Sequence, residues 1–480
     1  MKNRAYRIYT IGVRGMKGKG KQILAVMLAA GMLAGLCGCA AGQMPDKNTK
    51  DVSENKHSGS EKAEPVRNRN WFCTAKDLYY VAKDENHVVQ RSLSGNSERD
   101  YKIKNAELLS VEENWIYYYS TDNLYRVPVL HEAESDRLDL EHTEKLLQGG
   151  WEGDPDDILV TDSGLIYQPE WEEEVWYYDF ASQKKKRCMK DLLAQRDKVA
   201  GIEFVAASGP YAVITVEFYD SKASYGSVYC TYRYDVKRDK TERLPGPAIL
   251  RDVSSQTLLF GENLIIETWG DEKEEPELIQ YNIKQNAVRT LLTRKQFDEI
   301  FQKKIQPGVS QKQIGFTDLS SVFSDDGKRI YVEYEVLWHK GTEYHMRNYV
   351  VSVSREDGSV RYEDSLSQAM AKAVEPRKLL WTNNYDAKKD CLFFAHDVCV
   401  VEIYNGNCLL HAISKEKGKE RGSWFSYDLK THQMREISRE DNAAFYGLLR
   451  DGVYRDDESW EESGCLESWP NKMEYEELDE

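Results

Sequence analysis

The stretch Val175-Trp176-Tyr177-Tyr178-Asp179-Phe180 carries the pattern that decides the fold of this 480-residue chain. Aromatic and β-branched residues crowd into a short run, which closes on Tyr-Asp ahead of a polar turn. Residues of these types favour a pleated, half-buried strand, and the polar cluster after them favours a turn. We therefore predict one strand of a small antiparallel meander at this point.

The same phrase recurs along the chain. Its close copies are Thr231-Tyr232-Arg233-Tyr234-Asp235-Val236, Ile279-Gln280-Tyr281-Asn282-Ile283 and Trp424-Phe425-Ser426-Tyr427-Asp428-Leu429. Its looser copies are Leu124-Tyr125-Arg126-Val127-Pro128-Val129, Val88-Val89-Gln90-Arg91-Ser92-Leu93 and Val350-Val351-Ser352-Val353. A predicted strand precedes each copy, at residues 78–81, 115–119, 165–167, 211–218, 264–268, 330–336 and 391–403. Seven units of one design can therefore be counted.

The spacing of the units indicates how they assemble. Most units lie about 35 to 55 residues apart, which is typical of propeller blades or solenoid turns. A four-stranded meander cannot cover both of its faces alone, and radial packing of several meanders solves this while leaving only short edges. We therefore predict an all-β chain that folds as a β-propeller with seven blades. Six or eight blades remain open, because two longer gaps could conceal a further blade.

Each of the two longer gaps contains one predicted short helix. Thr293 and Gln296 form a capping box at the start of the first helix, and Pro307-Gly308 ends that segment. The second helix is predicted at residues 365–374 and is ended by Pro376. We expect both helices to be insertions between blades rather than parts of an α/β sheet.

One unit resembles a known type of blade. The run Phe323-Ser324-Asp325-Asp326-Gly327-Lys328-Arg329-Ile330-Tyr331 is similar to the S-P-D-G-K-x-I turn and strand of TolB-like propellers, with Asp325 in place of the usual proline. Residues 353–361 match the later turn of that blade. The chain also resembles bacterial lipoproteins that repeat an I-Y-Y … L-Y-R phrase, here Ile116-Tyr117-Tyr118 and Leu124-Tyr125-Arg126. This resemblance, over residues 70–440, implies a propeller outside the cytoplasm that serves protein interaction or scaffolding.

The N-terminus has the pattern of a secretory signal. Its first 38 residues contain seven lysines and arginines, no acid, and an apolar run at 23–38 that is shorter than the roughly 20 residues of a membrane-spanning helix. Leu36-Cys37-Gly38-Cys39-Ala40 resembles the lipobox of bacterial lipoproteins, which implies that Cys39 is acylated. We predict a lipoprotein signal peptide at 1–38, with ordinary cleavage and an uncleaved anchor as alternatives. Met16 opens a complete shorter signal and is the translation start that we favour.

Composition divides the rest of the chain into three parts. Residues 39–69 are polar and small, which predicts a flexible linker with a reach of about 30 Å. Residues 70–455 hold the predicted propeller. Residues 456–480 contain eleven acids against Lys472 and are predicted to form a disordered acidic tail.

Charge limits the possible partners. The formal net charge is −16 and becomes −23 once the seven cations of the signal are removed. Such a charge argues against nucleic acid or an anionic lipid surface as the partner. The predicted partners are the membrane, through the lipid on Cys39, and an unidentified protein or glycan ligand.

Cysteine usage indicates neither a disulfide framework nor a zinc ribbon. Seven cysteines follow Cys39, and they are scattered and contain no C-x-x-C pair. Cys391, His396, Cys399 and Cys408 come nearest to a ligand cluster. Residues 391–403 are apolar on both predicted strand faces, however, which favours buried free thiols.

No catalytic motif is found, and we predict no catalytic residue, no metal and no cofactor. The run at Ser324 departs from a sialidase-type S-x-D-x-G-x-x-W box, and no G-x-S-x-G nucleophile elbow occurs. His339 and His345 flank a predicted hairpin and could face one another as metal ligands. Histidines in solvated loops are commoner, so this pair does not change the prediction.

Two acidic-aromatic stretches, at residues 151–157 and 170–174, are the candidate ligand or cation contacts. Clustered carboxylates suit the oxygen preference of Ca²⁺, and paired carboxylates can serve glycoside hydrolysis. Neither stretch has EF-hand spacing, and charged loops more often only keep a surface soluble. The candidate residues are Trp151, Asp154, Asp156, Asp157, Trp171, Glu172 and Glu173.

These observations favour a non-enzymatic binding or scaffolding propeller that a lipid anchors to the outer face of a membrane. Its ligand would contact inter-strand loops on one rim, since loops on a rigid frame collect recognition residues. The alternative is a propeller enzyme that acts on extracellular glycans or peptides. That enzyme would need acids from several blades to converge on the central channel.

Overall fold

The computed structural model describes the chain in segments. These are residues 64–65, 71–73, 77–82, 87–92, 98–103, 106–112, 114–120, 123–132, 135–147, 158–169, 174–194, 198–223, 226–245, 258–268, 277–324, 328–381, 391–404, 406–416, 419–437 and 475–477. The predicted signal peptide and Cys39 lie outside the described residues, as do most of the predicted linker and most of the acidic tail. The predicted domain limits therefore stay predictions.

The described strands form seven sheets that follow one another along the chain. A short strand, β1 (Glu64–Pro65), precedes them. The first sheet contains β2 (Trp71–Cys73), β3 (Asp77–Ala82), β4 (His87–Ser92) and β5 (Glu98–Tyr101). The second contains β6 (Ala106–Glu112), β7 (Trp115–Ser120), β8 (Asn123–Leu130), β9 (Arg137–Leu138) and β10 (Glu144–Leu147). The third contains β11 (Ile158–Val160), β12 (Gly164–Tyr167), β13 (Val175–Asp179) and β14 (Lys184–Cys188).

The remaining sheets continue this order. The fourth contains β15 (Val199–Ser208), β16 (Tyr211–Tyr219), β17 (Ser227–Asp235) and β18 (Lys240–Arg243). The fifth contains β19 (Leu258–Phe260), β20 (Asn263–Thr268), β21 (Glu277–Asn282) and β22 (Ala287–Thr293). The sixth contains β23 (Ile314–Phe323), β24 (Arg329–Lys340), β25 (Glu343–Ser354), β26 (Val360–Tyr362), β27 (Arg377–Trp381) and β28 (Cys391–Ala395). The seventh contains β29 (Val398–Tyr404), β30 (Asn407–Glu416), β31 (Lys419–Asp428) and β32 (Met434–Glu436), and β33 (Tyr475–Glu477) pairs with β27.

Both predicted helices are confirmed. Three α-helices are described: α1 (Lys190–Leu193), α2 (Arg294–Ile300) and α3 (Asp364–Ala373). The capping box starts α2 as predicted, because Thr293 Oγ1 accepts from the amide of Gln296 at 3.2 Å and Gln296 Oε1 accepts from the amide of Thr293 at 2.9 Å. A π-helical turn at Phe301–Ile305 extends α2.

Radial packing follows from where the cores lie. One hydrophobic cluster joins each pair of successive sheets. Representative buried pairs, from the first junction to the sixth, are Tyr79 with Ile116, Tyr117 with Leu165, Ile166 with Ile214, Val213 with Leu264, Ile265 with Val332, and Val350 with Leu410. Consecutive residues of one strand, such as Leu165 and Ile166, thus enter the cores on opposite faces of their sheet. Each inner sheet is therefore covered on both faces by its neighbours.

The first strands of neighbouring sheets come together, as wedge-shaped blades around one axis require. Contacts of this kind join β2 with β6, β11 with β15, and β23 with β29. Together with the shared cores, they make the chain a β-propeller, which confirms the predicted fold class. The seven repeated phrases all lie in the third strands of seven different sheets. The number of blades in the whole chain stays a prediction.

The Tyr-Asp phrase specifies the turn that follows the third strand in five of the sheets. Asp179 Oδ1 accepts from the amide of Ser182 at 2.7 Å, and Asp428 Oδ1 accepts from the amide of Thr431 at 2.7 Å. The residue four places after this position has a positive φ in five sheets, namely Gln183, Asp239, Asn286, Gly358 and His432. In three of these sheets the tyrosine hydroxyl contacts that residue: Tyr234 donates to Asp239, Tyr281 donates to Asn286 Oδ1 at 2.8 Å, and Tyr427 lies 2.9 Å from His432 Nδ1.

The same turn is tied back to its own sheet. The residue after the Tyr-Asp position donates its backbone N–H to a carbonyl in or beside the turn between the first two strands. The five bonds run from Phe180 to Ser163, Val236 to Pro210, Ile283 to Glu262, Arg355 to Lys328 and Leu429 to Gly406, at 2.8 to 3.0 Å. The repeated phrase is therefore a repeated structure.

Meander order gives every sheet two different ends. We call one the turn end: it carries the connections from first to second strand and from third to fourth strand. The other, the loop end, carries the connections from second to third strand and from each sheet to the next. The helices α1, α2 and α3 and the hairpin of β27 and β28 are inserted at the loop end. At the turn end one long connection of the second sheet is described in part, at residues 131–132 and 135–143.

One predicted strand is wrong. Residues 391–403 do not form a single strand, because β28 belongs to the sixth sheet and β29 opens the seventh. The change of sheet occurs at His396 and Asp397: the amide of His396 donates to Met346 O at 3.1 Å, and Asp397 O accepts from the amide of Ile413 at 2.9 Å. The second strand of the seventh sheet is β30, which the sequence reading missed.

Candidate functional site

The loop end is the candidate functional site, since its connections differ most from sheet to sheet. Strands β24 and β25 have 12 residues each and extend a hairpin at this end. Strands β16 and β17 have 9 residues each and do the same in the fourth sheet. The hairpins with the longest strands therefore project furthest at the loop end. The helices α2 and α3 are inserted beside the hairpin of β24 and β25.

The tip of the fourth sheet exposes apolar side chains, and we call Tyr219, Val228 and Tyr229 the fourth-sheet tip. Their exposed fractions are 63%, 38% and 36%. Glu217 lies opposite Tyr229 in the register of β16 and β17. Partial burial, followed by the charge of Glu217, raises the pKa of Tyr229 to about 12. Two phenol rings thus flank a carboxylate on one sheet face, a combination suited to a ligand with both apolar and hydrogen-bonding groups.

A second aromatic cluster lies at the loop end of the sixth sheet. The ring of His345 stacks on Trp338 at 4.3 Å and on Phe394 at 5.1 Å between centroids. Burial lowers the pKa of His345, and burial with the charge of Arg347 lowers the pKa of His396 to about 4. Both imidazoles are therefore neutral at neutral pH, and the ring of His345 packs between Trp338 of β24 and Phe394 of β28.

The hypothesis that His339 and His345 face one another is wrong. The register of β24 and β25 pairs His339 with Tyr344 and Trp338 with His345. His345 therefore lies opposite Trp338, the residue before His339. Because successive residues of a strand point to opposite faces, the two histidines lie on opposite faces of the sheet. His339 stacks instead on Tyr344, at 5.1 Å between ring centroids.

Buried carboxyl groups in this molecule bind elements of the fold to one another. Glu333 is 1% exposed, and its Oε1 and Oε2 accept from the amide of Val400 at 3.1 and 3.3 Å. Asn348 Nδ2 donates to Glu333 Oε1 at 2.9 Å. Burial raises the pKa of Glu333 to about 8. This carboxyl group joins the sixth and seventh sheets and is sealed from solvent.

A second buried carboxyl group fixes the long connection at the turn end. Asp77 Oδ1 accepts from Ser135 Oγ at 2.7 Å, and Asp77 Oδ2 accepts from the amide of Asp136 at 2.6 Å. The connection borders a cavity of about 690 Å³. Its lining cations are paired, as in the contacts of Arg137 and Arg99 with Glu132 at 3.2 and 3.6 Å. The lining also includes Asp100, Asp139 and Glu141, so the wall of the cavity is charged.

The predicted contact residues lie outside the described residues. They are Trp151, Asp154, Asp156, Asp157, Trp171, Glu172 and Glu173, together with the lipidation site Cys39. The described flanks of the two stretches meet at one place, since Ile158 pairs with Tyr167 and Tyr167 pairs with Trp176 at the loop end of the third sheet. The prediction that these residues contact a ligand or cation stays a prediction.

Two further findings concern the described segments alone. They contain no group of three or more histidine, cysteine, aspartate or glutamate side chains placed to hold a metal ion. None of their helices has the length and apolar character needed to cross a bilayer.

Sequence reasoning missed the fourth-sheet tip. The sequence predicted the strand at 211–218. It could not show that β17 pairs with this strand along its whole length, from Asp235 back to Ser227. The signal in the sequence is the placing of Tyr219 and Tyr229 on either side of the polar turn at 220–226.

The fold and the loop end define the class of this protein: a β-propeller with one end of uniform turns and one end of varied connections. No protein family and no characterised protein matches the sequence. TolB from Acinetobacter baumannii is a similar solved structure, with 14% identity, a TM-score of 0.32, and coverage of 60% of this chain and 63% of that chain.

Two other solved structures are similar to the chain. The β-propeller domain of the Trilobed protease from Pyrococcus furiosus has 13% identity and a TM-score of 0.34, covering 78% of this chain and 98% of that one. A post-proline cleaving enzyme from Rickettsia typhi has 9% identity and a TM-score of 0.38, covering 79% of this chain and 53% of that one. The chain thus spans about six tenths of TolB and about half of that enzyme.

Proposed function

We propose that the protein is an extracytoplasmic, lipid-anchored propeller that binds a protein or glycan ligand through its loop end without chemical conversion. The anchor rests on the lipobox-like residues 36–40 and on acylation of Cys39. The binding role rests on one observation in particular: the exposed side chains of the fourth-sheet tip, whose two tyrosines are the exposed aromatic residues among those that the structure describes.

The chemistry of the tip supports a ligand with mixed polar and apolar character. Aromatic side chains at the centre of an interface supply contact area, and they often account for a large part of the binding energy. Tyrosine adds a hydroxyl group that can donate a hydrogen bond at the rim of the contact. Sugar rings and peptide side chains both offer such surfaces.

Binding to defined ligands would test this proposal. The full-length lipidated protein is incubated with a glycan array, with peptidoglycan fragments and, after crosslinking, with membranes of the source cells. The double variant Tyr219→Ser, Tyr229→Ser should weaken binding of the recovered ligand at least about tenfold, since losing an aromatic hot spot costs about 2 kcal/mol or more.

The matched control changes exposed side chains at the other end. The double variant Ser182→Ala, Lys430→Ser alters two turns at the turn end and should bind as the unchanged protein does. Equal losses in both double variants would contradict the assignment of the binding site. Hydrolysis of a glycan or peptide on the panel would favour instead the propeller enzyme considered from the sequence.

A further inference from the structure

The chain ahead of the first sheet reaches the inner edge of the fifth sheet. Strand β1 pairs antiparallel with β19, with Glu64 opposite Leu259 and Pro65 opposite Leu258. Strand β20 pairs with the other edge of β19. Strand β1 therefore pairs with the edge of β19 that faces away from the rest of the fifth sheet. In a propeller this edge faces the central axis, where the first strands of neighbouring sheets come together.

The direction of β1 shows from which end the chain arrives. Strand β19 runs from the loop end at Leu258 towards the turn end at Phe260, where the turn to Asn263 follows. Because β1 is antiparallel to β19, Glu64 lies nearer the turn end and Pro65 lies nearer the loop end. Strand β1 therefore runs from the turn end towards the loop end.

We infer that the segment linking the lipid to the propeller enters along the inner edge of the fifth sheet, so that the turn end faces the membrane and the loop end faces away from it. The occupant of this inner edge is the chain's own linker, with Glu64 and Pro65 as its contact. The orientation relative to the membrane rests on the proposed acylation of Cys39. The pairing of β1 with β19 does not depend on that modification.

The reach of the linker can be compared with the length of the propeller strands. Glu64 lies 25 positions after Cys39, and a flexible segment of that length has a reach of about 25 to 30 Å. A twelve-residue strand such as β25 spans about 40 Å. A tether that leaves at one end therefore holds that end closer to the lipid than the other.

The charges of the turn end are compatible with a lipid surface, although the chain as a whole is acidic. Lys430 is exposed in a turn that follows a third strand, Lys184 is exposed at the start of β14, and Arg238 is paired with Asp235 at 3.8 Å. Lys237 and Lys284 stand in the same kind of turn and are paired with Asp162 and Glu262 at 3.0 and 2.7 Å. Exposed cations near an anionic surface contribute attraction, so Lys184 and Lys430 would favour the approach of this end to an anionic membrane.

Disulfide formation tests the pairing. Residues opposite one another in an antiparallel pair have Cα atoms about 4.5 to 5.5 Å apart, within the range that a disulfide bridges. Full-length protein with Glu64→Cys and Leu259→Cys should form this disulfide on mild oxidation, detected as a linked peptide by mass spectrometry. The matched control is Glu64→Cys with Leu159→Cys, because Leu159 occupies the same place in the first strand of the third sheet.

The control pair should remain unlinked. Equal linkage in both variants, or none in the first while the pair Pro65→Cys, Leu258→Cys also fails, would overturn the inferred path of the linker. Circular dichroism of each variant establishes that it has folded before linkage is scored.

Energy transfer to lipid tests the orientation. Lipidated full-length protein, labelled at Ser182→Cys in the turn end or at Thr342→Cys in the loop end, is bound to vesicles of phosphatidylethanolamine and phosphatidylglycerol that contain an acceptor lipid. Transfer should be greater from position 182 than from position 342. The reverse order or equal transfer would overturn the orientation. Failure of the labelled protein to bind vesicles would instead contradict the lipid anchor, and the disulfide result would still stand.

Discussion

The two ends of this propeller are built from the same strands and yet differ in kind. At the turn end, five sheets repeat one turn, with the same positive-φ place and the same bond back to the first turn. At the loop end, the described connections differ among the sheets and include helices, a hairpin and an exposed aromatic tip. Repetition thus marks the part of the chain that the fold itself requires. Variation marks the part that is free to specialise.

The largest expected effect is a pH dependence of stability that arises from Glu333, in the framework between the two ends. Burial raises the pKa of Glu333 from its ordinary value of 4.5 to about 8. The folded protein therefore retains a proton that the unfolded chain releases between those values, so stability falls as pH rises from about 4.5 to about 8. The loss is on the order of 5 kcal/mol. Urea unfolding at pH 5, 7 and 9 measures it.

The variant Glu333→Gln serves as the control for that effect. It has no proton to lose, so its stability should depend less on pH across the same range than the stability of the unchanged protein. The same pH dependence in both proteins would show that another group is responsible.

A smaller effect is expected from Gly164, at the first turn of the third sheet. A Cβ atom there would collide with the backbone carbonyl oxygen of Tyr178 and would lie 2.7 Å from the ring of Tyr177, and such overpacking costs about 3 kcal/mol. Gly209 occupies the first turn of the fourth sheet with φ of +54° and open space around it. Gly209→Ala should therefore cost only about 1 to 2 kcal/mol, from backbone strain. Denaturant melts of Gly164→Ala and Gly209→Ala compare the two, and equal costs would contradict this account.

The repeated turn itself should contribute less. Tyr281→Phe removes the hydroxyl that donates to Asn286 Oδ1 and should reduce the free energy of unfolding by about 1 kcal/mol. Thermal unfolding followed by circular dichroism measures the change. A stability unchanged by this substitution would mean that the bond to the positive-φ residue does not hold the turn.

The smallest effect on stability belongs to the loop end. Tyr219 is 63% exposed, so Tyr219→Ser should change the free energy of unfolding by less than about 0.5 kcal/mol. Its effect should appear in ligand binding instead. A large loss of stability would place Tyr219 in the framework and remove the contrast between the two ends.

Local chemistry explains what the sequence predicted correctly. Asp179 accepts a bond from a residue three places on, and Thr293 caps its own helix, so both features are specified within a few residues. Regular alternation of strand and turn then indicated repeated blades. The predicted fold class and both helical insertions followed from such short-range signals.

Long-range pairing explains what it did not predict. The apolar run at 391–403 reads as one strand, and only the separate partners of His396 and Asp397 divide it between two sheets. The relation of His339 to His345 depended on a register that a one-residue shift reverses. The exposure of Tyr219 depended on how far neighbouring strands extend. None of these is a property of a single segment.

The outer edge of β25 shows how an added hairpin can protect a sheet. Val351 to Val353 pair with β26, and Glu343 to Met346 pair in parallel with β28. Without β28, the second stretch would offer unpaired amide and carbonyl groups to any neighbouring molecule, as open strand edges do. The insertion closes this edge with a strand of the same chain. It thereby guards against aggregation at high local concentration, which is the condition of any protein crowded on a surface.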